Sequence, residues 1–341
     1  MSSPDVFVVV PNWNGAESIA SCLDSLQQQT TTAIVIVVDN GSVDGSVQLI
    51  KEKYPGVVLL EQPKNLGFAG GVNVGIKYAI AHNAKFVALF NNDAIADKNW
   101  LLNLQQKLNS NPKLGIVASK IVDSEQKHLD STGEFYTTWG LPYPRGRDEA
   151  VSDKYDDQTV IFGASGGASL YRVEMLKQIG LFDEAFFAYY EDVDISFRAQ
   201  LAGWKIEYVS SAVAYHQIGA TSSKIKGFTT YQAMKNLPMI IRKNVPLQLL
   251  PTTLPRFFLA YLGFYFSAVA RGQFWPATKG WFMALLNLPR NFYQRRKIHK
   301  NRQVSVDYIR SMLVYDLPPG AHELRKLRTK WWHLTGRKTN V

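Results

Sequence analysis

Residues 86–94 read FVALFNNDA. The first five form a short apolar run of strand character that stops abruptly at Asn91, Asn92 and Asp93. Alone, Asn-Asn-Asp is an ordinary turn, so its meaning depends on the surroundings. Three similar runs precede it, at 7–10, 34–38 and 57–60, separated by segments of helical periodicity such as Ile19, Leu23, Leu26 and Val47, Ile50, Tyr54. Alternating strand and helix predicts an α/β chain with a Rossmann-like, mostly parallel sheet flanked by helices, whose ligands bind at the carboxyl ends of the strands. The polar clusters lie there: 11–15 after the first strand, 39–45 after the second, 91–93 after the fourth.

The 341 residues, 46% of them hydrophobic, suffice for one large domain or two modest ones. A lone Cys22 in an amphipathic segment excludes an internal disulfide; it reads as a core residue in a reducing compartment. The opening MSSPDVFVVVPNW lacks a basic region before its short apolar run, so export is not expected. Charge divides the chain. Residues 1–245 hold 22 Lys+Arg against 25 Asp+Glu, a net −3, whereas residues 246–341 hold 16 against 3, a net +13. This asymmetry sets the expected boundary between a catalytic domain, 1–245, and a basic, aromatic-rich helical region, 246–341.

After Leu114 the pattern loosens, and 133–149 (GEFYTTWGLPYPRGRDE) reads as a mobile excursion over a site, since Gly, Pro and aromatics mix without a period. Beyond Val245 the longest uncharged apolar run, 257–270, has 14 residues, fewer than the roughly 20 needed to cross a bilayer. Trp275, Trp281 and the basic 295–302 (RRKIHKNR) instead predict an amphipathic, membrane-associating extension lying on an anionic surface. The alternatives for this segment are packing on the catalytic body or a homo-oligomer interface.

Within the first domain, Asp39 projects from a strand end where an acceptor recognises a ribose hydroxyl or a base N–H. Gly67, Gly70, Gly71 and Gly75 open a helix, where small residues let backbone N–H groups approach phosphate. Asn91, Asn92 and Asp93 offer oxygen ligands suited to Mg²⁺ or Mn²⁺ on a diphosphate, and His216 after a later strand adds an imidazole that favours Mn²⁺. In 182–204, Glu191, Asp192 and Asp194 follow a run of aromatics, so a cation or a chemical task must offset their desolvation. Asp194 and Arg198 form an i, i+4 pair that supports a helix.

Taken in order, PNWNG, VVDNGSVDGS, NLGFAGGVNVG, FNNDA, GASGGASLYR, FFAYYEDVDISFR and His216 resemble the motif set of bacterial family 2 glycosyltransferases, in particular the rhamnosyltransferase-like branch that builds cell-surface polysaccharide. The likeness runs from about Val6 to about His216. It implies a GT-A fold, a nucleotide-diphosphate sugar (dTDP- or UDP-linked), a divalent cation (Mn²⁺ or Mg²⁺) and inversion at the anomeric carbon. By residue, it implies that Pro11 and Asn14 line the nucleotide pocket and that Asp39 holds the pyrimidine. Asn65, Gly71 and Asn73 shape the base and phosphate region, with Asn91 and Asn92 on the donor side. Asp93 is similar to the last residue of the family's D-x-D and His216 to its later metal ligand; Asn91 replaces the first acid of that motif. Asp192 resembles the base that deprotonates the acceptor hydroxyl, with Glu191, Tyr189, Tyr190, Gly166 and Gly167 on the acceptor side. The acceptor expected from the resemblance is a glycan or lipid-linked hydroxyl at the cytoplasmic membrane face.

Two other classes compete. A nicotinamide-dependent oxidoreductase would use the glycine run, but its G-x-x-G-G-x-x-x-G spacing is not the dinucleotide fingerprint, and Asp192 and His216 would have no role. A basic nucleic-acid module would use the tail, yet an apolar, Pro-broken neighbour suits lipid better than a phosphate backbone, so no nucleic acid is expected.

Overall fold

A computed structural model of the chain describes residues 5–217 and 225–315. The strands are β1 (Val6–Asn12), β2 (Ile34–Asp39), β3 (Val58–Glu61), β4 (Phe86–Phe90), β5 (Ala94–Ala96), β6 (Leu114–Asp123), β7 (Leu129–Ser131), β8 (Glu134–Tyr136), β9 (Pro142–Pro144), β10 (Ala168–Arg172) and β11 (Lys205–His216). The helices are α1 (Ile19–Gln27), α2 (Ser46–Lys53), α3 (Gly67–Ala81), α4 (Trp100–Ser110), α5 (Val173–Ile179), α6 (Glu191–Leu201), α7 (Phe228–Asn244), α8 (Leu250–Ala270), α9 (Phe274–Leu286), α10 (Leu288–Lys300) and α11 (Val306–Met312).

The main sheet runs β3-β2-β1-β4-β10-β6-β11-β5, with β7 on β6. Six strands share one direction, while β10, β5 and β7 oppose them, so the sheet is mixed with a parallel majority. The VFVVV start of β1 is buried on both sides. Its Phe7 and Val9 join the core beneath α3, and its Val6, Val8 and Val10 the core beneath α1 and α4. Double burial is why this strand reads as a continuous apolar run rather than an alternation.

Strand direction decides where the chemistry lies. β1, β2, β4 and β11 all leave the sheet at one edge, and the reversed β10 enters from that edge. Hence Asn12, Asp39, Asn91, Gly167 and His216, distant in sequence, end on one rim.

Two expectations need correction. The segment 133–149 is not a loose excursion: β8 and β9 pair, Tyr136 is buried between Phe162 and Phe197, and the buried Arg145 donates to Thr132 and Gln158. The second concerns α8. Pro251 falls in its first turn, where a missing N–H costs nothing, and Pro255 is carried inside it, so neither ends the helix. The stretch Leu247–Ala270 is therefore long and apolar enough, by length and composition, to cross a membrane, whereas the uncharged run alone was too short.

The helices α7 to α11 share a third core with α6, formed by Phe186, Phe197, Met234, Ile240, Phe257, Tyr261 and Ile309 among others. Residues 316–341 of the basic tail lie outside the described residues.

Candidate active site

At the first rim position, Asn12 is fully buried and acts as a hub. Its Nδ2 donates to Asp39 Oδ1 at 2.9 Å and Ser46 Oγ at 3.0 Å, and its Oδ1 accepts from Asn92 Nδ2 at 2.8 Å. Asp39 is buried too, with Oδ2 accepting from Ser42 N at 2.9 Å. Asn14, at φ +50°, takes Val43 N–H on its Oδ1 at 2.9 Å, and Pro11 pairs in register with Val38. These residues thus fix the 39–46 loop against β1 and the end of β4. Asn12 escaped the sequence reading although it stands between Pro11 and Asn14; a polar residue ending a doubly buried strand was the available signal.

The glycine-rich entrance of α3 differs from expectation. Gly67 N donates to Asn65 Oδ1 at 2.7 Å and Ala69 N to Phe187 O at 3.1 Å, so these N–H groups face the chain rather than phosphate. A Cβ on Gly71 would lie 2.6 Å from Asn40 Nδ2, and one on Gly75 2.4 Å from Val9 Cγ1. Close packing accounts for both glycines. Asn73, read as shaping the base and phosphate region, instead donates to Phe182 O at 2.8 Å and accepts from Phe182 N at 3.0 Å.

After β4 the polar trio parts. Asn92 turns inward to Asn12, while Asp93 and Asn91 face His216. Asp93 Oδ1 lies 3.1 Å and Asn91 Nδ2 3.2 Å from His216 Nε2, and Asp130 Oδ2 is 2.9 Å from Nδ1. Asp130 is itself paired with Arg147. Burial pulls the His216 pKa down, but its bonds to Asp130 and Asp93 outweigh this and push it up to about 9. An imidazole oriented through Nδ1 by a carboxylate, with Nε2 facing a second carboxylate, matches the way metal-binding histidines are held. The donor set, a carboxylate and an imidazole with an amide beside them, fits a divalent cation of the Mn²⁺ or Mg²⁺ type. Among the described residues no group of three or more His, Cys, Asp or Glu side chains is arranged to enclose a metal.

Asp192 lies in the first turn of α6, which carries Glu191, Asp192 and Asp194 where the helix dipole favours negative charge. Its Oδ2 accepts from Gly166 N at 3.1 Å; the next residue's carbonyl, Gly167 O, accepts from Asn91 N at 2.9 Å. This short link joins the Asp192 side of the rim to the His216 side. A Cβ on Gly166 would meet Phe68 at 3.0 Å and one on Gly167 would meet Asn91 at 3.2 Å, so both glycines let the loop pass between. Burial raises the Asp192 pKa, opposed by the N–H groups of Gly166 and Val193 and the charge of Arg147. Glu134 on β8, absent from the sequence reading, is buried, and desolvation with the Asp192 charge holds it well above the usual carboxylate range. Glu191 is raised by the same two causes, and its Oε2 has no hydrogen-bond partner among the described residues. Asp194 is compensated: Arg198 Nε lies 2.9 Å and Lys243 Nζ 2.7 Å away. The aromatics before α6 pack on the helical layer, Phe187 and Tyr189 each with ring centroids 6.1 Å from Phe228. Cys22 is buried, which pushes its thiol pKa up and leaves it unreactive.

Residues 7–180 match the sequence model of glycosyl transferase family 2. The chain belongs to that family. This glycosyltransferase is 28% identical over 232 residues to N-acetylglucosaminyl-diphospho-decaprenol L-rhamnosyltransferase of Mycobacterium tuberculosis, covering 61% of this chain and 75% of that one. It is 28% identical over 233 residues to the amylovoran biosynthesis glycosyltransferase AmsB of Erwinia amylovora, covering 64% and 72%. Among solved structures it resembles S. aureus TarS (TM-score 0.57, 19% identity, covering 90% of this chain and 54% of that one). It also resembles the mannosyltransferase PcManGT of Pyrobaculum calidifontis (TM-score 0.51, 18%, 88% and 86%). The fold is GT-A, as expected, and the oxidoreductase reading falls with the family assignment.

Proposed function

We propose that this family 2 glycosyltransferase transfers a sugar, with inversion, from a nucleotide-diphosphate donor to a hydroxyl of a glycan or lipid-linked acceptor in cell-surface polysaccharide synthesis. dTDP-rhamnose is the first candidate donor, supported by the likeness to the mycobacterial rhamnosyltransferase. What carries the reading is the rim itself: His216 held between Asp130 and Asp93, with Asp192 tied through Gly166 to the loop that holds Asn91.

Asp93 and His216 would hold a divalent cation, which when bound neutralises charge developing on the leaving diphosphate. Asp130 fixes the His216 ring. Asp192 takes the proton from the acceptor hydroxyl as that oxygen attacks the anomeric carbon. A single displacement needs one base, and the raised pKa of Asp192 makes it a better proton acceptor than an exposed aspartate. Asn12, Asp39, Ser42 and Asn14 shape the nucleotide side through the 39–46 loop. The protein works on the cytoplasmic face of the cell membrane, held by its basic and aromatic C-terminal helices.

The test is a screen of dTDP-rhamnose, UDP- and GDP-sugars for diphosphate release, each with Mn²⁺, Mg²⁺ or EDTA. Turnover of one donor that EDTA abolishes is the expected result; release that ignores EDTA would remove the cation from the scheme. Loss of turnover in both His216→Ala and Asp93→Ala, with Cys22→Ser unaffected, is the corresponding mutational expectation.

A further inference from the structure

The four residues before α6 are Phe187, Ala188, Tyr189 and Tyr190, none of them glycine, yet three have left-handed φ: +65° at Phe187, +67° at Tyr189 and +71° at Tyr190. Side chains rarely adopt this region, and it persists only where the surroundings impose it. Here two helices do so. From α3, Ala69 N donates to Phe187 O at 3.1 Å and Asn73 fastens Phe182. From α7, Asn236 Nδ2 is shared among Phe186 O at 3.0 Å, Ala188 O at 2.9 Å and Tyr189 O at 2.8 Å. Lys235 Nζ donates to Ala185 O at 3.0 Å and Phe186 O at 3.1 Å. Both side chains are buried, Lys235 at 5% and Asn236 at 0% exposure, so these bonds are not exchanged with water. Only the NH₂ end of an amide can face three carbonyls; its Oδ1, pointing away, has no hydrogen-bond partner among the described residues. A buried amide that leaves its own oxygen unpaired to organise another segment's carbonyls bears the mark of a constraint on that segment.

We infer that Lys235 and Asn236 are positioning residues for Asp192: by clamping the carbonyls of 185–189 they hold the left-handed turn that sets the start of α6 and the aim of its carboxylate. The inference rests on Asp192 being the base. The position of α7 is itself fixed, because Gly280 of α9 lies against it; a Cβ there would come 2.5 Å from Tyr231 O and 3.3 Å from Lys235 N.

The experiment uses the full chain with dTDP-rhamnose and Mn²⁺, or whichever screened nucleotide sugar turns over. Asn236→Asp replaces the donor with an acceptor of the same shape, and Lys235→Met keeps the stem but removes the ammonium. Each is expected to lower kcat by about 10²-fold, the scale of a small misplacement of a reacting group, while donor KM and the melting-temperature shift caused by nucleoside diphosphate with Mn²⁺ stay within about twofold of wild type. Lys235→Arg, which retains donors, is expected to recover most of the rate. Adding Asn236→Asp to Asp192→Asn should cost nothing further if both act through one carboxylate. Unchanged kcat in Asn236→Asp, or a loss shared equally by kcat, KM and diphosphate binding, overturns the clamp. An active Asp192→Asn beside a slow Asn236→Asp overturns the base and the clamp together, whereas a dead Asp192→Asn beside a fast Asn236→Asp overturns the clamp alone. Should Asn236→Asp fail to fold, Lys235→Met and its arginine counterpart carry the same comparison.

Discussion

Asp192 sits under two opposed influences, burial raising its pKa and the amides of Gly166 and Val193 with Arg147 lowering it. Burial wins, so a base of this kind loses its competence at a higher pH than an exposed aspartate, whose pKa is about 3.9. The acid limb of the kcat/KM profile is therefore expected above that value, and Asp192→Asn should lower kcat by roughly 10²–10⁴-fold while leaving donor binding in place. Full activity in that variant would remove the assignment. The neighbouring Glu191 gives a prediction on stability. Its pKa is raised by burial and by Asp192, so the folded state holds the proton more tightly than the unfolded one. Stability then falls as pH rises from the ordinary glutamate value of about 4.3 through the raised folded value. Glu191→Gln, neutral throughout, should melt higher than wild type at neutral pH and converge with it near pH ~4; thermal melts across pH check this, and a lower melting point at neutral pH would contradict it.

At the scale of elements, α6 is joined to the helices beyond it by charge. Lys243 of α7, 1% exposed in its side chain, lies between Asp194 at 2.7 Å and Asp183 at 2.5 Å, and Asn244 Nδ2 donates to Asp194 Oδ1 at 2.8 Å. Arg290 of α10 closes on Asp183. Burial raises both aspartate pKa values, yet the charges of Lys243 and its neighbours outweigh it and hold both below the usual range. Removing one partner of such a group leaves buried charge uncompensated, so Lys243→Met should cost about 3–5 kcal/mol in chemical denaturation. A loss under about 1 kcal/mol would mean that water reaches these carboxylates. These contacts also explain what the sequence could and could not disclose. The early strands were legible because doubly buried runs such as VFVVV have few other uses; Asn91–Asp93 stood out at the end of one, Asp192 as one of three carboxylates after an aromatic run, and His216 through its place in the motif order. The reversal of β10 into the sheet between β4 and β6, the β8–β9 pairing over 133–149, and the reach of Lys235 and Asn236 to 185–189 were not. Periodicity states which face of an element is buried, not which partner some 50 residues away will bury it, and an Asn or Lys within a helix gives no local sign of its target.

The whole molecule presents two different surfaces. One is the polar rim of the sheet; the other belongs to α8, α9 and α10, where Phe258, Leu259, Phe266, Trp275, Trp281, Phe282, Leu286, Phe292 and Tyr293 are all exposed. Arg296, Lys297 and Lys300 of α10 are exposed too, in a region of net charge +13. Apolar side chains with Trp among them and cations beside them suit a headgroup layer of anionic lipid, where burial and charge attraction add. Because α8 to α11 share a core with α6 and α7, deleting everything after Val245 would take Phe257, Tyr261 and Ile309 out of that core and confuse unfolding with loss of binding. Substitution on the exposed face is the sounder test. The triple variant Trp275→Ser, Trp281→Ser, Phe282→Ser is expected to keep wild-type melting behaviour and to lose flotation with phosphatidylglycerol-rich vesicles. Wild-type flotation should weaken, without vanishing, when salt is raised to about 1 M, where charge attraction is screened beyond about 3 Å and apolar burial is not. If the triple variant floats as well as wild type, this face meets something other than lipid, and a second copy of the chain becomes the partner to test by sedimentation.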